Sequence, residues 1–137
     1  MAITIEGTAF PLGKINKNGW GIPTSEASSA IASLKKAVVH ICPCDNGHGC
    51  DLSEDSNHEI GRVIDAWSTP TSEMVRVEIS EKVAEQKILS GVWERTWSVY
   101  GKASSIFEGW AQGFQARSLT LVRDPAWDEA SFNVVAS

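Results

Sequence analysis

No run of apolar residues in this 137-residue chain approaches the roughly 18 to 20 that a membrane-crossing helix needs, so a span of that kind is not expected. Positive charge is also scarce. Twelve lysines and arginines stand against 17 aspartates and glutamates, for a net charge of -5, and Lys14, Lys17, Lys35, Lys36, Arg62 and Arg76 are scattered along the chain. Such a balance offers phosphates no field, and nucleic acid is not an expected partner. The opening residues, Met1 to Glu6, lack both the basic start and the apolar stretch of a secretory signal. A cytosol is the expected compartment. There is no internal repeat, low-complexity stretch or linker, and residues 1–137 are expected to form a single domain with one core.

Hydrophobic residues make up 42% and charged residues 21%, the balance of an ordinary globular domain. Six tryptophans are unusual in so short a chain: Trp20, Trp67, Trp93, Trp97, Trp110 and Trp127. Either they fill the core, with their indole N–H groups on acceptors, or one or two of them line a groove for a peptide.

Alternating apolar residues predict strands over 2–10, 60–67, 74–79, 97–103, 116–122 and 132–135, and the β-branched run before Pro43 predicts another over 37–42. Helices are predicted over 25–35, where Ile31 and Leu34 form a stripe, and after Ser80 and Glu81. In the second helix Val83, Ala84, Ile88 and Leu89 are expected on one side, with Gly91 just past its end. Residues 14–21 read as an exposed turn sharpest at Asn18-Gly19, 44–59 as a long polar loop, 68–71 as a hairpin turn and 104–113 as a further turn. Six or seven strands and two short helices, without a βαβ rhythm, predict a strand-dominated, barrel-like α+β domain.

All three cysteines and all three histidines fall in one stretch, in the order His40, Cys42, Cys44, His48, Cys50, His58. Cys42, Cys44, His48 and Cys50 could supply four ligands to zinc, although the spacing is not the familiar C-x-x-C pairing. Cys44 and Cys50 could instead close the loop as a disulfide, a bond rare in a cytosol. In the third reading Cys42 is a small buried hydrophobe and the other two are loop thiols, and the site holds no metal.

Three segments, in order, resemble the serine proteases that mature the proheads of tailed phages and share a fold with the herpesvirus assemblins. Residues 59–64, Glu-Ile-Gly-Arg-Val-Ile, resemble the strand that follows the family's catalytic-histidine loop. Residues 88–103, where a helix ending in Leu-Ser-Gly leads to Trp-Ser-Val-Tyr-Gly-Lys, resemble the helix and nucleophile-bearing strand. Residues 118–127, Ser-Leu-Thr-Leu-Val-Arg-Asp-Pro-Ala-Trp, are similar to the family's Glu-x-Ser-Leu-Val-x-x-Pro-Ala segment.

The resemblance implies Ser98 as nucleophile and a histidine ahead of Ile60-Gly61 as its base, because a hydroxyl attacks poorly until its proton is accepted. His48 and His40 are the candidates; His58 lies closer to Ile60-Gly61 than the swing across a site would need. The position of the family's glutamate holds Ser118, which cannot be the orienting anion, so Asp51, or His40 in a His-His arrangement, would have to serve. Arg117 would be either an oxyanion donor or a solvent-facing strand residue. The activity implied is endopeptidase cleavage of capsid and scaffold proteins, without a cofactor, by a chain that is one of a shell of copies inside a prohead in the host cytoplasm. The alternative is a structural virion subunit of the same fold, a decoration or head-completion protein. The end of the sequence at Ser137, soon after the last expected strand, leaves no removable tail in view and fits that alternative.

Overall fold

A computed structural model describes residues 2–41 and 59–136. Among these residues nine strands and two α-helices follow one another as β1 (Ile3–Pro11), α1 (Ala27–Leu34), β2 (Val38–Ile41), β3 (Glu59–Ser68), β4 (Ser72–Ile79), α2 (Lys82–Leu89), β5 (Trp97–Lys102), β6 (Ser105–Phe107), β7 (Trp110–Gln112), β8 (Gln115–Leu121) and β9 (Phe132–Ala136). Seven of the strands form one sheet in the order β5-β8-β2-β3-β4-β1-β9. Neighbours are antiparallel except β2 and β8, which run parallel. The domain is thus the strand-dominated α+β architecture expected from the alternation.

The sheet curls into a half-barrel because one face carries the apolar set. Trp97, Val99, Leu119, Leu121, Val39 and Ile41 belong to a single buried cluster with Ile5, Val75, Val77 and Leu34. In β1 a register shift between Thr8 and Phe10 inserts a bulge, which is why Ala9 and Phe10 are both buried despite being neighbours. Helix α1 continues a 3-10 turn, Thr24–Glu26, and buries Ala30 and Leu34. Its Ser33 hydroxyl donates to the Ala30 carbonyl at 2.8 Å and accepts the Ala116 N–H at 2.8 Å, tying the helix to β8.

The two edge strands meet at a short seam. The Trp97 N–H donates to the Ala130 carbonyl at 3.2 Å, the Phe132 N–H to that of Arg95 at 3.0 Å, and Thr96 bridges Ser131. Gly7 lets β9 come close: an added Cβ there would stand 2.0 Å from the Ser131 carbonyl oxygen and 2.6 Å from Phe132 Cα. Both obstacles are backbone, so Gly7→Ala should part β1 from β9 and cost roughly 3 kcal/mol, to be read as a lower denaturation midpoint in urea.

Three expectations are corrected. Residues 104–113 are not a plain turn but contain the β6–β7 hairpin, a separate two-stranded sheet. Helix α2 is capped as expected, the Glu81 carboxylate accepting the Ala84 N–H at 2.7 Å, and Gly91 follows it with φ of 79°. Its buried residues are Ala84 and Ile88, however, while Leu89 points outward and is 47% exposed. The 14–21 turn is also less exposed than expected, since Asn16 and Gly21 are buried and Trp20 half-buried.

Candidate functional site

Residues paired across a ladder project from the same face. Ser98 on β5 pairs with Thr120 on β8, which pairs with His40 on β2. These three therefore form one row on the face opposite the core. Tyr100, Ser118 and Val38 form the next row. Two strand spacings separate Ser98 from His40, roughly 10 Å between Cα atoms, with Thr120 between them. His48 and His58, Asp51, and Cys42, Cys44 and Cys50 lie outside the described residues. So does every zinc or disulfide ligand set considered above, and no metal-holding group of His, Cys, Asp and Glu occurs among the described residues.

Ser98 is 9% exposed, and its Oγ accepts the Ala126 N–H at 3.0 Å. That bond sets the direction of the hydroxyl while leaving its proton to be donated elsewhere. Ser118 is buried and Arg117 exposed, the latter at a bulge facing the step from Tyr100 to Gly101.

Beside this strand runs a groove. A cavity of about 400 Å3 is lined by Lys17, Asn18 and Trp20, by Asp124, Pro125 and Ala126, and by Ser98 to Gly101. A second, of about 210 Å3, continues from Trp20 and Gly101 to Ala103, Ile106, Ala111 and Phe114. The two share Trp20 and Gly101 and lie end to end along β5.

Beyond the seam at Trp97, no strand among the described residues pairs with β5 on this side. The Trp97 N–H points toward the seam. Strand alternation therefore aims the backbone groups of Val99 the same way, away from β8.

The walls are held by local bonds. The Lys17 N–H donates to the Ala126 carbonyl at 3.1 Å, and Trp127 Nε1–H to that of Lys14 at 2.9 Å. Asn16 Oδ1 accepts the N–H groups of Asn18 and Trp20, and Trp20 packs edge-on against Trp127 with centroids 5.1 Å apart. Of the six tryptophans, Trp93, Trp97 and Trp127 are buried, and the half-buried Trp20 lines the groove.

Lys17 is the cation nearest in kind to a lysine base. Its hydrogen bond to Asp124, and then that to Asp128, raise its pKa above the ordinary lysine value. A base at neutral pH needs the opposite shift, so Lys17 is a fixed charge on the groove wall.

That one of the tryptophans would line a groove was one of the two sequence readings, but the groove edge and the bond from Ala126 to Ser98 were not foreseen from sequence. The last joins residues 28 positions apart and leaves no local signal. No protein-family model matches the chain, and no curated protein matches it either.

Proposed function

We propose that the chain is a serine endopeptidase of the prohead-maturation type, with an assemblin-like fold, Ser98 as nucleophile and His40 or His48 as base. One observation carries the reading: Ser98 lines a groove beside β5, whose outer edge beyond Trp97 pairs with no strand among the described residues. An extended peptide added to that edge gains main-chain hydrogen bonds while its side chains enter the cavities on either side of Gly101. The carbonyl of such a peptide would pass close to the Ser98 hydroxyl. Attack by Oγ would form an acyl-enzyme and release the new amine, water would then free the acid, and the histidine would take and return the proton.

Scaffold and capsid proteins are the proposed substrates, an assembling prohead in the host cytoplasm the proposed setting, and other copies of the chain the proposed neighbours. No cofactor enters the scheme.

A second reading has its own observation. The Ser98 hydroxyl already serves the Ala126 N–H, and Ser118 stands where the resemblance calls for a carboxylate. A virion subunit of the same fold that does no chemistry would keep both features.

Digestion of a complex peptide mixture separates the two. The protease reading expects cleavage products with the native chain that are missing with Ser98→Ala. Equal products from both, or none from folded protein, support the structural subunit, which should then be found near stoichiometric amounts in mature particles.

A further inference from the structure

Glu73 is the only ionisable side chain in the buried set among the described residues, with 0% of its surface exposed. It opens β4 on the core-facing side, in step with Val75, Val77 and Ile79. Its Oε1 accepts the Ser68 hydroxyl at 2.5 Å across the β3–β4 hairpin, and its Oε2 has no hydrogen-bond partner, donor or acceptor, among the described residues.

Among the described residues the surrounding elements supply no cation. Glu6 of β1, Arg62 and Asp65 of β3, and Arg76 and Glu78 of β4 share the opposite face, where Arg76 pairs with Glu6 at 2.7 Å. Glu26, ahead of α1, accepts the Phe114 N–H, and Lys35 and Lys36 beyond that helix are exposed. An ionised carboxylate at Glu73 would therefore hold a buried oxygen without a partner. Burial pushes its pKa up to about 7, against the opposing pull of the Ser68 bond.

The strands connect this carboxyl to the groove. Glu73 pairs with Phe10, the next pair is Pro11 with Ser72, and the Leu12 N–H donates to the Thr71 carbonyl at 2.8 Å. The chain then runs from Gly13, whose N–H donates to the Ile22 carbonyl at 2.8 Å, into the segment bearing Lys17, Asn18 and Trp20.

We propose that Glu73 is a proton-operated latch. Protonated, it holds the β3–β4 tip and the end of β1 together; ionised, it loosens them and with them the groove wall that follows. This holds whether or not Ser98 is catalytic. In an opened tip the carboxyl meets water and titrates near its ordinary 4.5, whereas in the closed tip it keeps its proton to about 7. Closure is firmest below that interval, weakens by up to about tenfold per pH unit across it and levels off above it.

Amide hydrogen exchange on the full chain tests the latch. After correction for intrinsic rates, protection of the Leu12 and Thr69 amides should fall by up to about a hundredfold from pH 5 to pH 8. It should stay below that of the sheet-centre amide of Leu119, and in Glu73→Gln it should be flat with pH. The latch is wrong if the native chain shows no fall, if Glu73→Gln shows the same fall, or if the tip amides exchange only together with Leu119. Should Glu73→Gln not fold, a carbon-13 titration of the native Glu73 carboxyl decides: a midpoint near 7 is expected, and one near 4.5 overturns the proposal.

Discussion

Trp97→Ala should cost about 4 to 5 kcal/mol, the largest stability loss expected of a single side chain here. Trp97 has no exposed surface, packs its ring against Phe132 with centroids 4.7 Å apart, and donates its indole N–H to the Thr8 carbonyl at 2.7 Å. Its own backbone N–H lies in the seam with Ala130. Truncation would leave a cavity where the sheet's edges meet and strand an acceptor on β1.

Small domains have only about 5 to 15 kcal/mol in hand, so the variant should melt roughly 15 to 20 °C lower, at about 4 °C per kcal/mol for a chain of this size. Trp97→Phe keeps much of the ring volume and loses the N–H. It should fall by about 1 to 2 kcal/mol, and calorimetry on the pair would separate packing from hydrogen bonding. Equal, small losses in both would mean that the seam contributes little to holding the barrel.

Ser98→Ala is expected to behave in the opposite manner, with chemistry lost and fold kept. Removing the nucleophile from an acyl-transfer site lowers turnover by at least about a thousandfold. The structural cost is one acceptor for the partly buried Ala126 N–H, about 1 kcal/mol. Cleavage rate and melting temperature measured on the same preparation would make the contrast. A large fall in melting temperature would instead identify the bond to Ala126 as the main role of this serine.

Much of the sheet was legible because its strands obey local rules. β4 alternates Val75, Val77 and Ile79 inward with Met74, Arg76 and Glu78 outward, and Glu81 caps α2 as its side chain suggests. The β6–β7 hairpin escaped because three-residue strands are too short to show a period. Its turn also hides its nature: Glu108 and Gly109 both have positive φ, 50° and 87°, the two-residue hairpin geometry in which asparagine or aspartate usually precedes the glycine. Leu89 was misplaced because an exposed leucine on a short helix looks the same in sequence as a buried one.

The candidate site was legible only in its parts. Ser98 and His40 could be named, but their common row depends on the parallel pairing of β2 with β8, between residues 80 positions apart, His40 and Thr120. The groove depends on the edge position of β5, which is a property of strand order and not of any segment. Glu73 shows the converse. In an alternating strand it occupies an inward position, a conflict between residue type and pattern that is visible in the sequence once the register is known.

The protease assignment requires that Ser98 be an activated nucleophile. Labelling the folded native chain with a phosphonate probe for activated serines, followed by mass spectrometry of the peptide spanning residues 96–102, measures this. The expected result is an adduct on Ser98 that disappears in His40→Ala or His48→Ala, whichever removes the base. A folded chain that gains no adduct at Ser98, or one whose adduct is unchanged by both histidine substitutions, would contradict the protease assignment.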